Sequence, residues 1–161
     1  MMLDTLDKYL CANNVSRRRS LILHRSYVFN LSTWKDRKVS RKHKQYATDA
    51  NTGFFDLDKV LIPVYDSCHW TLYVIFPKRK HVVFYDTLRF PEPNNLLPDD
   101  IFDYIADESN EINKLFNRSQ WSYYRAEVVH QGNNLDCGFC IIKYALIVLH
   151  DLPLDIKVFT I

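Results

Sequence analysis

The sequence is poor in the residues that mark flexible and fibrous chains. Three glycines and six prolines occur among 161 residues, which excludes a collagen-like or low-complexity composition. No apolar run is long enough to cross a bilayer, because the longest, residues 140–149, is short and is interrupted by Lys143. The N-terminus also lacks a basic segment followed by an apolar one, so we expect no secretory signal. These absences predict an intracellular protein, nuclear or cytoplasmic, with no membrane partner.

The chain does contain enough apolar material for one globular domain. Hydrophobic residues make up 47% of the sequence and aromatic residues 14%, which predicts a single domain over residues 1–161 with a substantial core. Four cysteines are present. Because disulfides are rare in a reducing compartment, we expect these cysteines to be free thiols, metal ligands or nucleophiles.

Charge is unevenly distributed along the chain, although the net value is only +2. Residues 1–50 hold 11 lysines and arginines against 4 acidic residues, whereas residues 51–161 hold 10 against 15. The basic half is suited to an acidic partner, and a solvated, helix-rich surface is the plainer interpretation. No aromatic residue interleaves the basic run at residues 35–44, which argues against a nucleic-acid partner.

Hydrophobic periodicity predicts an α+β or α/β architecture, in which a small sheet packs against one central, buried helix. Pro63 favours an edge position or a bulge in the strand that contains it. The apolar side of the helix predicted at residues 99–117 consists of Ile101, Phe102, Ile105, Ile112, Leu115 and Phe116. In chain order, the predicted elements are a helix at residues 3–11, a strand at 26–31, helix 33–46, strands 59–65, 69–76 and 82–85, helix 99–117, strand 121–129 and helix 138–150.

Two of the predicted strands flank the charged turn "PKRK" and form a β-hairpin. A two-residue loop at residues 77–78 would place Phe76 opposite Arg79, and the same register would place His69 directly opposite Asp86. Cβ atoms of such a pair lie about 4.5–5.5 Å apart on one face. Pro-Lys is not the usual loop for this turn, yet a slip of two residues would still leave the imidazole and the carboxylate near one another. A histidine oriented by a carboxylate supplies two members of a nucleophilic triad.

Cys137 is the candidate nucleophile for this triad. It comes just before the predicted buried helix, and the positive end of a helix dipole favours the thiolate form of a cysteine. Gly138 allows the backbone to approach closely and keeps the site unobstructed. Gln131 precedes a short polar loop, so its amide is placed to donate to a developing oxyanion together with the backbone N–H of Cys137.

The string "CGFC" at residues 137–140 also suggests two other uses of its cysteines. A thioredoxin-like redox pair needs further strands after the motif, but only 21 residues follow Cys140 and the first ten have a helical pattern. A zinc site formed by Cys68, His69, Cys137 and Cys140 is a second alternative. Adjacent side chains on a strand point to opposite faces, and no second well-spaced pair exists. We therefore expect no metal or other cofactor, and we predict that Cys11, Cys68 and Cys140 are small apolar residues of the core.

The two segments that carry these residues resemble a known family. "VLIPVYDSCHWTLYVIFPKRKHVVFYDTL" and "QGNNLDCGFCIIKYAL" are similar to the cysteine proteases that process SUMO and related ubiquitin-like proteins. That family carries HW, then YDS or YDT after a strand and a turn, then Q-x-N-x-x-DCG before a helix. All three blocks are present here in the same order, and the resemblance covers roughly residues 60–149.

The resemblance implies an α+β fold of the papain-like, adenain-like type, with a small, mostly antiparallel sheet and the catalytic cysteine at the start of the buried helix. It implies that Cys137 is the nucleophile, that His69 is the general base and acid, that Asp86 orients His69, and that Gln131 helps to form the oxyanion hole. It implies a ubiquitin-like protein or its conjugates as the partner. Cleavage would follow a glycine-rich C-terminal tail.

Three further residues match positions of the family that lie near its substrate. Trp70 matches the tryptophan that covers the narrow channel for a Gly-Gly tail, and ordinary packing in the sheet is compatible with this role. Asp136 and Gly138 flank the cysteine in the family's DCG motif. We expect Asp136 to have a structural role within the loop before the helix.

The chain departs from the family at both of its ends. The family has a tryptophan near its start, in a W-L-x-D-like motif that forms the other wall of the channel, whereas this chain begins at Met1-Met2-Leu3-Asp4. The family also continues with more helix beyond the position of Ile161. We therefore expect either a fragment or a pared-down member. A viral- or bacterial-type protease of the same clan that cleaves polyproteins or ubiquitin is one alternative, and a non-catalytic module that binds a modifier is another.

Overall fold

The structure is a computed structural model that describes residues 20–22, 53–66, 68–88, 96–133 and 135–152. For the strand at residues 20–22 it describes the backbone only. The helices predicted at residues 3–11 and 33–46, and the strand predicted at 26–31, lie outside the described residues. The elements of the described part are β1 (Ser20–Ile22), β2 (Lys59–Asp66), β3 (His69–Phe76), β4 (His81–Tyr85), α1 (Leu96–Glu111), β5 (Ser122–Arg125) and α2 (Cys137–Leu149).

The described strands form one sheet in the order β1-β2-β3-β4-β5. The central pairings, β2 with β3 and β3 with β4, are antiparallel, whereas β1 with β2 and β4 with β5 are parallel. Parallel neighbours need a crossover connection, and the segment that contains α1 provides it between β4 and β5. The α+β fold class is confirmed, with the antiparallel part at the centre of the sheet. Pro63 lies on β2, which stands between β1 and β3 in the sheet, and it pairs with Leu72 of β3; its predicted edge position or bulge stays a prediction.

Helices cover both faces of this sheet in the described part of the chain, whereas the sequence predicted one central helix. The α1-side core contains buried residues of α1 and of β2, β3 and β4, together with Trp121. The α2-side core contains Leu61, Leu72, Val74 and Tyr85 packed against α2. Strands buried on both faces have nearly continuous apolar sequences, so the strand pattern is compatible with two covered faces but does not assign a helix to either of them. The members of the α1-side core that belong to α1 are Ile101, Phe102, Tyr104 and Ile105.

The β3–β4 hairpin differs from the predicted register by two residues. Phe76 pairs with His81 rather than with Arg79, and the connection is a 3₁₀ turn at Pro77–Arg79 followed by Lys80. Lys80 has a left-handed backbone with φ 54°. The longer turn arises because Pro77 sets the backbone angle that begins a 3₁₀ turn, and a two-residue loop would have required a different residue pair.

Helix α1 begins three residues earlier and ends six residues earlier than the sequence predicted, at Leu96 and Glu111 instead of 99 and 117. It ends because Asn113 adopts a left-handed conformation with φ 55°. The amide of Lys114 then donates to the carbonyl of Ser109 at 2.9 Å, and that of Asn113 donates to the carbonyl of Asn110 at 3.0 Å, which is a Schellman motif. Two residues assigned to the apolar side of this helix therefore lie beyond it and are exposed, namely Ile112 and Leu115.

The last strand and the last helix were predicted more closely. Strand β5 covers residues 122–125 of the predicted 121–129, and α2 covers 137–149 against the predicted 138–150. Most of α2 is buried, but Phe139 in its first turn is 66% exposed, so the helix is apolar all round without being buried all round. No helix in the described ranges combines the length and the apolar character needed to cross a membrane.

The direction of α2 across the sheet is set by a buried lysine. Lys59, the first residue of β2, donates from Nζ to the carbonyl of Val148 and to Oδ1 of Asp151, each at 2.7 Å. The C-terminal end of α2 therefore lies at the end of the sheet where β2 begins. Because β2 and β3 are antiparallel, His69 lies at the opposite end. The N-terminus of α2, with Cys137, is consequently directed towards the end of the sheet that holds His69.

Candidate active site

His69 and Asp86 are in direct contact at this end of the sheet. His69 is the first residue of β3 and Asp86 follows the last residue of β4, and Nε2 of the imidazole lies 2.7 Å from Oδ1 of the carboxylate. The predicted pair is thus in place, although the register that suggested it was wrong by two residues. The ladder ends at the pair Leu72 and Tyr85, and beyond it the two side chains meet across the gap between the strand ends. The side chains of His69 and Asp86 are 13% and 3% exposed, so water competes little with this contact.

Asp86 accepts further hydrogen bonds on both of its oxygens. The backbone N–H of Leu88 donates to Oδ1 at 3.0 Å, and Nη2 of Arg125 donates to Oδ2 at 3.1 Å. A buried carboxylate is tolerated only when it is paired and hydrogen-bonded, and these donors meet that condition. The sequence gave no indication that Arg125 contacts Asp86, because the position of Arg125 opposite Phe84 depends on the pairing of β4 with β5.

Cys137 is the first residue of α2 and is buried, with 5% of its surface exposed. Its backbone N–H is among those that a helix leaves without an intrahelical partner, which is the arrangement required of an oxyanion donor. Thr87 lies close enough to the side chain of Cys140, one turn further along α2, to influence the pKa of its thiol. Since Thr87 directly follows Asp86, this proximity brings the first turn of the cysteine helix to the end of β4.

Gln131 is tied to the same short segment. Its backbone N–H donates to the carbonyl of Thr87 at 3.1 Å, and its side-chain Oε1 accepts a hydrogen bond from Oγ1 of Thr87. Its Nε2 donates one hydrogen to the carbonyl of Asn133, and the amide group carries a second. Thr87 therefore orients the side chain of Gln131, the predicted oxyanion donor. Nothing in the sequence indicated this role of Thr87 except its position directly after Asp86.

The loop between Gln131 and Cys137 is organised by Asn133. Its Oδ1 accepts from the backbone N–H of Leu135 at 2.8 Å and from that of Asp136 at 3.0 Å. Its Nδ2 donates to Oδ2 of Asp136 at 2.6 Å. Asp136 is the residue immediately before α2, and its carboxylate is used inside the loop, in line with the structural role predicted for it. Gly138 is the second residue of α2.

Trp70 packs against the α2-side core while remaining partly exposed. Its ring lies 5.0 Å from that of Tyr65 on the neighbouring strand, at 45°. Trp70 thus has an ordinary packing role next to His69. Its predicted role in covering a substrate channel stays a prediction.

The remaining described cysteines behave differently from each other. Cys68 is exposed and has a left-handed backbone with φ 63° in the turn between β2 and β3, so the prediction that it belongs to the core was wrong. Because Cys68 precedes β3, the rule that adjacent residues of a strand point to opposite faces does not apply to it and gives no argument against a zinc site there. In the residues that the structure describes, no three His, Cys, Asp or Glu side chains are grouped to hold a metal. Cys140 is partly buried against the α2-side core, and burial, with the nearby Asp136 carboxylate, raises the pKa of its thiol.

The structure thus combines a mixed sheet, a buried cysteine on the first turn of a helix and a histidine–aspartate pair at the end of the sheet towards which that turn is directed, which is the layout of the papain-like, adenain-like fold. The whole sequence, residues 1–161, matches the Ulp1 protease family, C-terminal catalytic domain. The chain belongs to this family, and the resemblance drawn from its motifs is confirmed.

The curated relatives are distant and much longer than this chain. The ubiquitin-like-specific protease ESD4 of Arabidopsis thaliana is 27% identical over 105 residues, which cover 63% of this chain and 21% of that protein. Sentrin-specific protease 2 of Rattus norvegicus is 29% identical over 106 residues, which cover 63% of this chain and 18% of that protein. The chain spans about a fifth of the length of these relatives.

Solved structures show the same fold over nearly the whole chain. The SUMO protease Ulp1 with its catalytic cysteine oxidised to a sulfinic acid gives a TM-score of 0.77 at 24% identity, covering 98% of this chain and 68% of that one. The C-terminal Ulp1 protease domain in complex with SMT3, the yeast orthologue of SUMO, gives 0.76 at 24% identity, covering 96% and 66%.

Proposed function

We propose that this chain hydrolyses the peptide or isopeptide bond that follows the C-terminal, glycine-rich tail of a SUMO-like modifier. The observation that carries the proposal is the 2.7 Å contact between His69 Nε2 and Asp86 Oδ1. It lies at the end of the sheet towards which the buried Cys137 is directed. Membership of the Ulp1 protease family supports the same chemistry.

The contact also supports one of the two ring nitrogens as the reacting one. With Nε2 directed at Asp86, Nδ1 is the nitrogen that can exchange a proton with a thiol. His69 takes the proton of Cys137, and the thiolate attacks the scissile carbonyl. The negative charge that develops on the carbonyl oxygen is stabilised by the backbone N–H of Cys137 and by the amide of Gln131.

Proton return completes the reaction. The imidazolium of His69 gives its proton to the leaving amine, and the C–N bond breaks to leave a thioester on Cys137. Water, deprotonated by the same imidazole, attacks the thioester and releases the free carboxylate of the modifier and the thiol. Asp86 keeps the ring in one orientation throughout and stabilises its positive charge.

The choice of a SUMO-like modifier rests on the relatives. Several are named sentrin-specific proteases, and one solved neighbour holds SMT3. Ubiquitin is the natural competitor, since both modifiers end in Gly-Gly and differ in the surface that precedes the tail.

The proposal is tested with modifiers that carry an electrophile in place of the C-terminal carboxylate. SUMO and ubiquitin probes are incubated in parallel with the protein, with Cys137→Ala, and with Cys140→Ala as the matched control one helical turn away. We expect the SUMO probe to form a covalent adduct with the protein and with Cys140→Ala, and no adduct with Cys137→Ala. Labelling by ubiquitin alone would overturn the substrate class, and the absence of labelling by either probe would overturn the catalytic proposal.

A further inference from the structure

We propose that Arg125 is a positioning residue for catalysis, which holds the carboxylate of Asp86 so that one of its oxygens is presented to His69. This inference rests on the proposed function. Arg125 acts through Asp86 and does not itself meet the reacting atoms, because the carboxylate stands between it and the imidazole.

The division of hydrogen bonds between the two carboxylate oxygens carries this proposal. Oδ1 lies 2.7 Å from His69 Nε2 and accepts a hydrogen bond from the amide of Leu88 at 3.0 Å. Oδ2 accepts a hydrogen bond from Nη2 of Arg125 at 3.1 Å. Aspartate carboxylates turn easily about the bond to Cβ, since that torsion has a broad, two-fold profile. A donor on each oxygen restricts this rotation. The imidazole is then held in the orientation that directs Nε2 at the carboxylate and leaves Nδ1 for the proposed proton exchange with the thiol.

The charge of Arg125 has a second effect on the same group. Asp86 is 3% exposed, and an ionised carboxylate that buried is costly unless a cation or several donors compensate it. Arg125 is 32% exposed, so its guanidinium remains partly hydrated while it reaches the buried oxygen. It therefore supplies a compensating charge without itself being fully desolvated.

The sheet topology explains why this arginine is in position. Arg125 is the last residue of β5 and pairs with Phe84 of β4, two residues before Asp86. Its guanidinium carbon lies 5.8 Å from the centre of the Phe84 ring, so the side chain passes along that ring on its way to the carboxylate. The amide of Ala126 donates to the carbonyl of Phe84 at 2.8 Å. This bond fixes the backbone of β5 next to the site.

The test compares Arg125→Met, which keeps the length of the side chain without its donors, with Arg125→Lys, which keeps the charge. Arg79→Met is the matched control, because Arg79 is an exposed arginine beside a phenylalanine ring at the opposite end of the sheet. We expect kcat on a SUMO-derived substrate to fall about tenfold in Arg125→Met with KM within twofold. Arg125→Lys should recover part of this loss, and Arg79→Met should equal the parent protein.

A double-mutant cycle with Asp86→Asn separates positioning from a general effect on the fold. If Arg125 acts through Asp86, Arg125→Met should cause no further loss of kcat in the Asp86→Asn background. An undiminished tenfold loss in that background, or an Arg125→Met variant with the kcat of the parent, would overturn the inference. Should Arg125→Met fail to fold, Arg125→Gln carries the same cycle, with the same two outcomes.

Alkylation of Cys137 by iodoacetamide distinguishes failure of this inference from failure of the proposed function. The reagent reports the reactivity of the thiol without any modifier, and its rate should fall in Arg125→Met and not in Arg79→Met. A parent protein that reacts rapidly at Cys137 but cleaves no modifier would overturn the proposed substrate alone. Equal alkylation rates in the parent and Arg125→Met would overturn the role of Arg125.

Discussion

Two adjacent residues at the end of β4 organise the candidate site. Asp86 orients His69 through one oxygen, and Thr87 binds Gln131 through both its hydroxyl and its carbonyl group. Thr87 also lies near enough to the thiol of Cys140 on α2 to influence its pKa. His69, Gln131 and the first turn of α2 thus all lie against one dipeptide. If the proposed roles of His69 and Gln131 hold, small shifts of this dipeptide should act on catalysis more than on folding.

Thr87→Val tests this dependence, because valine has nearly the same shape and lacks the hydroxyl. Thr87 is fully buried, and Gln131 would lose the donor that orients Oε1 while keeping its backbone bond to the carbonyl. We expect kcat to fall about tenfold, a fraction of the loss caused by removing an oxyanion donor altogether, with little change in KM. Steady-state kinetics on a SUMO-derived substrate measure both constants, and Thr71→Val on β3 is the control. An unchanged kcat would show that the Gln131 amide is oriented without Thr87.

At the scale of single elements, the candidate site could be predicted better than the structure that positions it. His69, Asp86, Gln131 and Cys137 were identified from residue types and spacing, whereas the hairpin register was wrong by two residues. His69 and Asp86 still meet because both side chains lie beyond the last paired residues, where their length bridges a small offset. The register itself could not be read from "PKRK", since a 3₁₀ turn with a left-handed lysine competes with a two-residue loop.

Helix α2 is held at its C-terminal end by Lys59, and this contact gives a prediction about stability. Lys59 is 7% exposed and donates to the carbonyl of Val148 and to Asp151, where a cation also complements the helix dipole. We expect Lys59→Met to lower the free energy of unfolding by about 1–2 kcal/mol, as measured by urea denaturation. Lys78→Met is the control, since the Lys78–Asp58 ion pair is exposed and such pairs contribute about 0–1 kcal/mol. Equal effects of the two substitutions would mean that Lys59 does not anchor the helix.

At the scale of the whole molecule, the sequence predicted a buried core but not which helix lies on which face of the sheet. The apolar strands were recognised, yet nothing in their pattern assigned one helix to each face. The meeting of Arg125 with Asp86 could not be predicted for the same reason. It depends on β4 and β5 lying parallel after a crossover through α1, and no local spacing encodes that connection. Contacts within one hairpin or one loop were accessible from sequence, whereas contacts across the crossover required the fold.

The two cores also bury several tyrosine hydroxyls, which predicts how stability depends on alkaline pH. Burial raises the pKa of Tyr85 and Tyr144 and, with the nearby Glu108 carboxylate, raises the pKa of Tyr104 well above its usual value. In the unfolded chain these groups lose their protons near pH 10, while the folded protein retains them. The unfolded state therefore binds fewer protons above that pH, and stability falls as pH rises beyond it, by at most about 1.4 kcal/mol per pH unit for each such tyrosine. Urea denaturation between pH 8 and pH 11 should show this decline. In Tyr104→Phe the free energy of unfolding should fall less steeply with pH, because one buried tyrosine is absent. The exposed Tyr124→Phe is the matched control, and a Tyr104→Phe variant with the slope of the parent protein would contradict the prediction.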